Sequence, residues 1–377
     1  MRIAYPMRVD ALDKPGGDLL QVSRYIESGK KQAKDGCIGF DGVIITDLGA
    51  DLSCFDLIHL TNIDRPVDSY RSFLAAKAAR RPIILSPIHH SYREIERYER
   101  MGRGGLAGRV SGLLGFTTLE YLRNIVRSRH HPQLILSMVR MTRKSMRKCQ
   151  REMLTGADQI LVLTEKERMD IVADFGEIPE ERFTNLSNGL DCVGNEGDER
   201  VLRDIDVCMV GRVEARKNQV AVLRVLNRLG LSGAFVGALN TNHKSYCRQF
   251  RSMVECSGST YIGTVSHEEV LRILRRSKVH VSASWFEVLS LVDLEAFCAG
   301  CGVVASDCGG TREVLGGMAC YVSPDSDESI ERCIRAMLDR ASGSMVIYNR
   351  EGASKPILES WSEIGKRLAE IYNQYVK

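Results

Sequence analysis

Three features predict an α/β protein of two doubly wound domains: a length of 377 residues, short apolar runs alternating with helical patterns, and an acidic stretch dividing that alternation. Single domains mostly hold about 100 to 200 residues, so a lone small module is excluded. With 44% hydrophobic and 27% charged residues, 33 Gly and 9 Pro, the composition argues against disorder, collagen-like repeats and a coiled coil. No run approaches the roughly 18 to 20 uncharged apolar residues of a membrane span, and the N-terminal stretch MRIAYPMRVDALDK has no signal-peptide apolar core. A cytoplasmic location is therefore expected.

The first domain is expected over residues 1–191, with strands at Ile3 to Tyr5, Val43 to Thr46, Leu57 to Leu60, Ile83 to Leu85 and Ile160 to Leu163. Thr164 to Glu167 has capping-box spacing and should open a helix reaching Asp174. Between His90 and Pro132 the pattern turns Gly- and Arg-rich, which reads as an insertion or loop. The acidic run DCVGNEGDERVLRD marks a linker at 192–204.

The second domain, 205–356, is more regular. Strands are expected at Asp206 to Val210, Ala234 to Val236, Thr260 to Ile262, Val279 to Val281, Val303 to Ala305 and Cys320 to Val322. Helical patterns lie between them: Asn218 to Leu229, Lys244 to Val254, one opened by the capping box at Ser266 to Glu269, Asp293 to Ala299, a short one near Arg312, and Glu328 to Leu338. Such alternation implies a parallel sheet with helices on both faces. A last helical pattern, within 357–377, follows the final strand and is expected to pack back on the first domain.

Twelve cysteines are scattered through apolar segments, which reads as reduced, mostly buried thiols. The CxxC spacing of Cys298 and Cys301 falls at a helix end before a strand, where packing explains it better than redox or zinc chemistry. Charge is uneven. Residues 71–151 hold 18 Lys+Arg and 4 Asp+Glu, a balance of +14, whereas the whole chain is +4. Arg123, Arg127, Arg129, Arg140, Arg143, Lys144, Arg147, Lys148 and Arg151 interleave with Leu134, Ile135, Leu136, Met138, Val139, Met141 and Met146. That pattern reads as basic amphipathic helices suited to an anionic membrane surface, each cation worth about 1 kcal/mol there. A solvated helix face is the plainer reading. No aromatic stacking pattern accompanies the charge, so no nucleic-acid partner is expected.

Two strings mislead. Gly102 to Ala107 fits G-x-G-x-x-A but follows a charged helical run instead of a strand, and Asp204-Ile205-Asp206 enters a strand on the edge away from ligands. The substantive cluster begins at Gly211-Arg212-Val213-Glu214-Ala215-Arg216-Lys217-Asn218, between a strand and a helix. Ligands of doubly wound sheets bind outside the carboxyl ends of the strands, where a helix N-terminus already favours an anion. Arg212 and Lys217 add two cations, enough to neutralise a diphosphate with no metal. Trp285 to Ala296 forms a second strand-to-helix connection in which Glu287 and Glu295 bracket seven residues and the amides of Leu289, Ser290 and Leu291. Carboxylates accept paired hydroxyl hydrogen bonds, as vicinal diols require. Cations for phosphates beside carboxylates for diols describe a nucleotide sugar.

At these residues the chain resembles the retaining glycosyltransferases of family four, of GT-B architecture: two facing Rossmann-like domains and a C-terminal helix crossing back to the first. The resemblance rests on Gly16-Gly17, ADQILVLTEKER, Ser187 to Asp191, VGRVEARKN, the Glu287/Glu295 block, GVVASDCGGTREVL and the tail SWSEIGKRLAEIYNQY. It implies that Arg212 and Lys217 hold and stabilise the departing diphosphate of a UDP- or GDP-linked sugar. Glu295 would bind the ribose hydroxyls, Glu287 the donor sugar, and the amides of Leu289, Ser290 and Leu291 would approach the phosphates and sugar. Ser290 stands where the family usually has Gly. Gly17 would let the first loop approach the donor phosphates. In Ser86-Pro87-Ile88-His89-His90, one histidine falls where the family places an active-site histidine; spacing does not decide between them, and His90 is favoured.

The expected activity is metal-independent transfer of a hexose, with retention, to a saccharide acceptor. No carboxylate pair of the retaining-hydrolase kind is evident, so same-face transfer is favoured. The basic surface points to a lipid-linked acceptor, peripheral attachment to the inner face of the plasma membrane, and a role in surface polysaccharide or lipopolysaccharide assembly. A sugar-nucleotide epimerase of related fold would turn over donor with no acceptor present. A non-catalytic anionic-membrane-binding scaffold would bind little nucleotide.

Overall fold

The computed structural model describes residues 1–14, 16–103, 116–191, 202–342 and 358–376. They form two compact units: Met1–Ser91 with Leu114–Asp191 and Glu359–Lys377, and Tyr92–Leu113 with Cys192–Leu358. Most of the acidic stretch assigned as linker, residues 192–201, lies outside the described residues.

In the first unit, β1 (Arg2–Pro6), β2 (Asp41–Ile45), β3 (Leu57–Thr61), β4 (Ile83–Ser86), β5 (Gln159–Val162) and β6 (Phe183–Asn185) form one sheet. Their order is β2-β1-β3-β4-β5-β6, every pair parallel. The inner strands β3, β4 and β5 are buried along their whole length, as near-continuous apolar runs covered on both faces must be. Helices α1 (Gly17–Lys34) and α2 (Pro66–Ala78) have no counterpart among the elements expected from sequence. Their pattern is shaped by tertiary contacts: α1 carries Gly29 where a side chain would strike the Phe40 ring.

Where an insertion or loop is expected after His90, the chain instead forms α3 (Tyr92–Arg97) and a π-helical turn at Tyr98–Gly102. These pack with the second unit. Tyr98 lies 6.2 Å from the Trp285 ring and 5.5 Å from Phe286, and Arg97 bonds Ser323 and Asp325 at 2.8 and 2.7 Å. Partners more than 180 positions away leave no trace in a local pattern. Helices α4 (Phe116–His130), α5 (Ile135–Arg143) and α6 (Met146–Gly156) are the expected basic amphipathic stretch. Their apolar face is largely turned inward: Leu134, Met138, Met141 and Met146 are buried, and Arg127 bonds Asp68 and Asp10 at 2.5 and 3.0 Å. Helix α7 (Glu165–Phe175) is capped by the Thr164 hydroxyl, as its spacing indicates.

In the second unit, β7 (Ile205–Val210), β8 (Gly233–Val236), β9 (Thr260–Gly263), β10 (Ser277–Val281), β11 (Gly302–Ser306) and β12 (Ala319–Val322) form a parallel sheet of order β12-β11-β10-β7-β8-β9. Helices α8 (Gln219–Leu229), α9 (Lys244–Glu255), α10 (His267–Arg276), α11 (Leu291–Cys298), α12 (Thr311–Leu315) and α13 (Asp327–Ser342) connect and cover the strands. Val222, Leu226, Val279, Val304 and Ile334 lie in its core. Expecting only reduced thiols needs one correction. Cys320 on β12 and Cys333 on α13 are disulfide-linked, with Cα atoms 5.6 Å apart, because the sheet and its covering helix bring residues 13 positions apart face to face.

The closing helix α14 (Trp361–Tyr375) begins with a capping box of Ser360 and Glu363 and packs on α1 of the first unit, so closely that a Cβ on Gly365 would fall 2.3 Å from Ser28. Its Tyr372 hydroxyl meets Tyr5 at 2.7 Å and His59 Nδ1 at 2.5 Å, and His59 Nε2 meets the Ser86 hydroxyl at 2.8 Å. Burial pushes His59 down to about 3, so the imidazole is neutral and can serve one hydroxyl as donor and the other as acceptor. Tyr372→Phe would orphan two buried partners and should cost about 1–3 kcal/mol. Urea unfolding followed by circular dichroism measures it, and an unchanged midpoint would contradict the network.

Candidate functional site

Strand order reverses between β10 and β7 in the second unit, since successive strands run outward from each in opposite directions. Loops diverging from such a point leave a crevice at the carboxyl edge, the usual ligand position in open α/β sheets. Both motifs singled out from sequence leave this edge. Gly211 to Asn218 follows β7, and Ser282 to Ser290 follows β10.

After β7 the chain makes a 3-10 turn at Ala215–Lys217, then Asn218 takes a left-handed conformation (φ 68°) at the entry to α8. The Asn218 side-chain Nδ2 donates to the Pro324 carbonyl at 2.7 Å, which anchors the bend. Arg212 is exposed. Lys217 is ion-paired with Glu287, so two residues assigned from separate motifs converge. Arg216, to which the sequence assigned no role, is the residue that joins the two connections. Its Nε donates to Glu214 at 2.6 Å, an Nη donates to Glu287 at 3.3 Å, its guanidinium lies 5.4 Å from the Phe286 ring centre, and its carbonyl accepts from the Trp285 amide at 2.8 Å. Burial disfavours its charge, but Glu287 and Glu214 outweigh that and raise its pKa. Burial would raise Glu214; Arg216, with help from Asn240 at 2.6 Å, holds it below its ordinary value.

The β10 connection is held from below. Gly310 N–H donates to the Val288 carbonyl at 2.7 Å, and Gly309 (φ 80°) passes so near that a Cβ there would sit 2.4 Å from the Glu287 carbonyl oxygen. Only glycine suits that backbone. Ser290 is the N-cap of α11, its hydroxyl accepting from Asp293 N–H, and Leu289 and Ser290 are buried while Leu291 is half-buried. The first N–H groups of a helix have no partner one turn back, which directs those of this segment outward from the helix end. Glu295, in the second turn of α11, is buried and lies 3.3 Å from His267.

Gly17 and the two histidines belong to the first unit. Gly17 opens α1, and nothing lies within 4 Å of where its Cβ would be. His89 is enclosed, its Nδ1 2.7 Å from Asp64 and its Nε2 2.9 Å from Asp174. His90, with a side chain 23% exposed, meets the other Asp64 oxygen at 2.9 Å. With both nitrogens of His89 committed, the partly exposed ring is that of His90. Asp64, directly after β3, was not singled out from sequence, although a carboxylate leaving the carboxyl end of a strand is a readable sign. Glu167 accepts from the His89 and Leu163 amides at 2.8 and 2.7 Å, and burial pushes it up to about 7 against those bonds.

Of the discounted strings, the Asp204–Asp206 pair lies at the opposite end of β7, whereas Gly102 packs on Trp285 of the β10 connection, a Cβ there falling 2.5 Å from its ring. Asp204 bonds Arg276 at 2.9 Å and Asp206 bonds Lys278 at 2.7 Å at the start of β7. Gly102 ends the π-helical turn, and the rest of its glycine string, from 104, lies outside the described residues. Cys301 is fully buried at the entry to β11.

Burial opposes protonation of His89, but Asp64 and Asp174 outweigh it and lift the imidazole to about 10. Because 10 lies above the ordinary value of 6.5, this stabilisation is complete below about pH 6.5 and is lost as pH rises through 10. His89→Gln should therefore lower the melting temperature most at pH 6.5 and by progressively less towards pH 10. A constant gap across that range would show that His89 does not titrate with folding.

A family model described as Glycosyl transferases group 1 matches residues 204–340. The alpha-maltose-1-phosphate synthase of Mycolicibacterium smegmatis is 26% identical over 258 residues, covering 60% of this chain and 65% of that protein. The glycogen synthase of Mycobacterium tuberculosis is 26% identical over 179 residues, 44% of this chain and 42% of that protein. The chain thus spans less than two thirds of the length of these curated relatives. Among solved structures, Anabaena HepE in complex with UDP and glucose superposes with a TM-score of 0.63 at 14% identity, covering 99% of this chain and 100% of that one. Sucrose-phosphate synthase from Thermosynechococcus elongatus gives 0.65 at 13% identity, with 99% and 98% covered. The lipopolysaccharide outer core galactosyltransferase WaaB gives 0.56 at 12% identity, with 99% and 100% covered. At such identities the structural likeness is one of fold. Residues 204–340 thus match the model of group 1 glycosyl transferases, on a chain whose two parallel six-stranded sheets are Rossmann-like and of GT-B type.

Proposed function

We propose that the chain is a retaining glycosyltransferase that moves a hexose from a UDP- or GDP-linked sugar to a saccharide acceptor without a metal ion. The observation that carries this reading is the meeting of Lys217 and Glu287 at the β7/β10 reversal, with Arg212 on the first connection and Glu295 on the helix that the second enters. Arg212 and Lys217 take up the charge that grows on the departing diphosphate. Glu295 accepts from the ribose hydroxyls and Glu287 from the sugar, beside the amides of Leu289, Ser290 and Leu291. The roles implied for Gly17 and His90, on the first unit, belong to the same reading. The bond from the anomeric carbon to the diphosphate breaks while the acceptor hydroxyl attacks the same face, and its proton passes to the diphosphate. Support from relatives is of the same kind: HepE is described with UDP and glucose, and the matched curated proteins are named as synthases of maltose 1-phosphate and glycogen.

A thermal-shift and turnover panel of UDP-, GDP-, ADP- and CMP-sugars, with and without EDTA, tests this. One nucleotide family should shift the melting point and turn over, indifferent to EDTA. Lys217→Ala should lower kcat about 10²- to 10³-fold, and Glu295→Ala should raise KM about 10- to 100-fold by removing charged hydrogen bonds to a diol. No shift with any nucleotide would defeat the reading, and turnover of donor without acceptor would replace it with epimerisation.

The acceptor is proposed to be lipid-linked, in surface polysaccharide or lipopolysaccharide assembly. Leu122 and Val126 on α4 and Ile135 and Val139 on α5 are exposed at one-turn spacing, near exposed Arg129, Arg143, Arg147 and Lys148. Apolar pairs flanked by cations suit an anionic bilayer surface. No helix among the described residues is long and apolar enough to cross a membrane. Vesicles containing phosphatidylglycerol should bind the protein in low salt and release it in high salt. Reversing the charges of Arg143, Lys144, Arg147 and Lys148 to Glu should abolish that binding, and unchanged partitioning would sink this part of the proposal.

A further inference from the structure

Glu287 presents one oxygen, Oε1, to two cations at once: the Lys217 ammonium and an Nη of Arg216 at 3.3 Å. The two cations are differently placed. Lys217 reaches Glu287 from a flexible four-carbon stem and is the residue assigned to the donor diphosphate. Arg216 is fixed from behind, by Glu214 at its Nε, by the Phe286 ring beside its guanidinium, and by its own carbonyl on the Trp285 amide. Glu214 is fixed in turn by Asn240. A planar guanidinium held through Nε has its remaining N–H directions set, whereas an ammonium turns freely about its stem.

We infer that Arg216 is a positioning residue for Glu287: it holds that carboxylate in place independently of Lys217, which leaves Lys217 available to the donor diphosphate. This rests on the glycosyltransferase reading above. Without Arg216, a diphosphate that draws Lys217 would also withdraw a cation that orients Glu287, and sugar and phosphate binding would compete for one ammonium. With Arg216 in place the two tasks are separated. The chain Asn240–Glu214–Arg216–Glu287 crosses from the β7 connection to the β10 connection, so it also sets the register of the sugar-binding carboxylate against the diphosphate-binding loop.

The test compares Arg216→Gln, Arg216→Lys, Lys217→Gln, Glu287→Gln and the double variant Arg216→Gln/Glu287→Gln, each first checked for a cooperative melt. Steady-state kinetics use the sugar nucleotide turned over by the unaltered protein, and titration calorimetry uses UDP and GDP as probes. Arg216→Gln should lower kcat about 10- to 100-fold, the cost of misplacing a group that contacts substrate, while leaving nucleoside diphosphate affinity within about twofold because the probe carries no sugar. Lys217→Gln should weaken that affinity. Arg216→Lys, which keeps a cation, should recover part of the lost kcat. On the Glu287→Gln background, Arg216→Gln should cost less than about twofold, since residues acting through one another are not additive. Multiplying losses in the double variant, or an Arg216→Gln loss of nucleoside diphosphate affinity equal to that of Lys217→Gln, would overturn the inference and leave the activity standing. An unaltered protein that neither binds nor turns over any sugar nucleotide would overturn the activity and the inference together.

Discussion

The parallel pairing of β10 with β7 is the constraint on which the donor-side geometry depends. Residues 277 and 205 are brought into register there, with Val279 opposite Val207 and His280 opposite Cys208. Everything downstream of the two strands inherits that alignment. The loop after β7 and the loop after β10 emerge side by side, and the Trp285 amide closes the gap by donating to the Arg216 carbonyl. Behind them, His280 on β10 meets Asp293 of α11 at 3.2 Å, and Thr311 of α12 reaches the other Asp293 oxygen at 3.3 Å. The helix carrying Glu295 is thereby tied to the strand that delivers Glu287.

Charge is managed in the same way at one cluster of each unit, where a carboxylate largely shielded from water meets more than one donor. Glu214 and Glu287 share Arg216, and Glu287 has Lys217 as well. Asp64 receives His89 on one oxygen and His90 on the other; burial alone would raise it, but the two histidines hold it well below the usual carboxylate range. Breaking such a set is costlier than the set is stabilising, because removing one member strands a desolvated charge. The benefit of these clusters lies in orientation. A rotamer-rich Glu or Arg loses its freedom to two or three fixed partners before any ligand arrives, which is pre-organisation of the kind that binding and catalysis exploit.

Much of this protein could be read from its residues in order. The strands of the second unit follow from runs such as DVCMV and VVA, since a strand buried on both faces must be apolar throughout. The loops of interest followed from chemistry, as Arg212, Lys217, Glu287 and Glu295 are charged residues placed where a strand turns into a helix. Elements that failed to announce themselves have weak periodicity of their own. Helix α1 has few apolar residues and a glycine, Gly29, where Phe40 leaves no room for a side chain, and β6 is three residues long and only half-buried.

Local sequence determined the alternating elements, their caps and the residue types at the strand ends, because backbone preference and hydrophobic period act over a few positions. It carried no information on which cations serve which carboxylates. That Arg216 and not Lys217 alone braces Glu287, that His89 is enclosed by Asp64 and Asp174, and that Tyr98 packs beside Trp285 are outcomes of chain segments 25 to 187 positions apart meeting in space. Pair energies of this kind fall off within a few ångströms. Only the packed sheets, by fixing those distances, select among the many pairings that the composition allows.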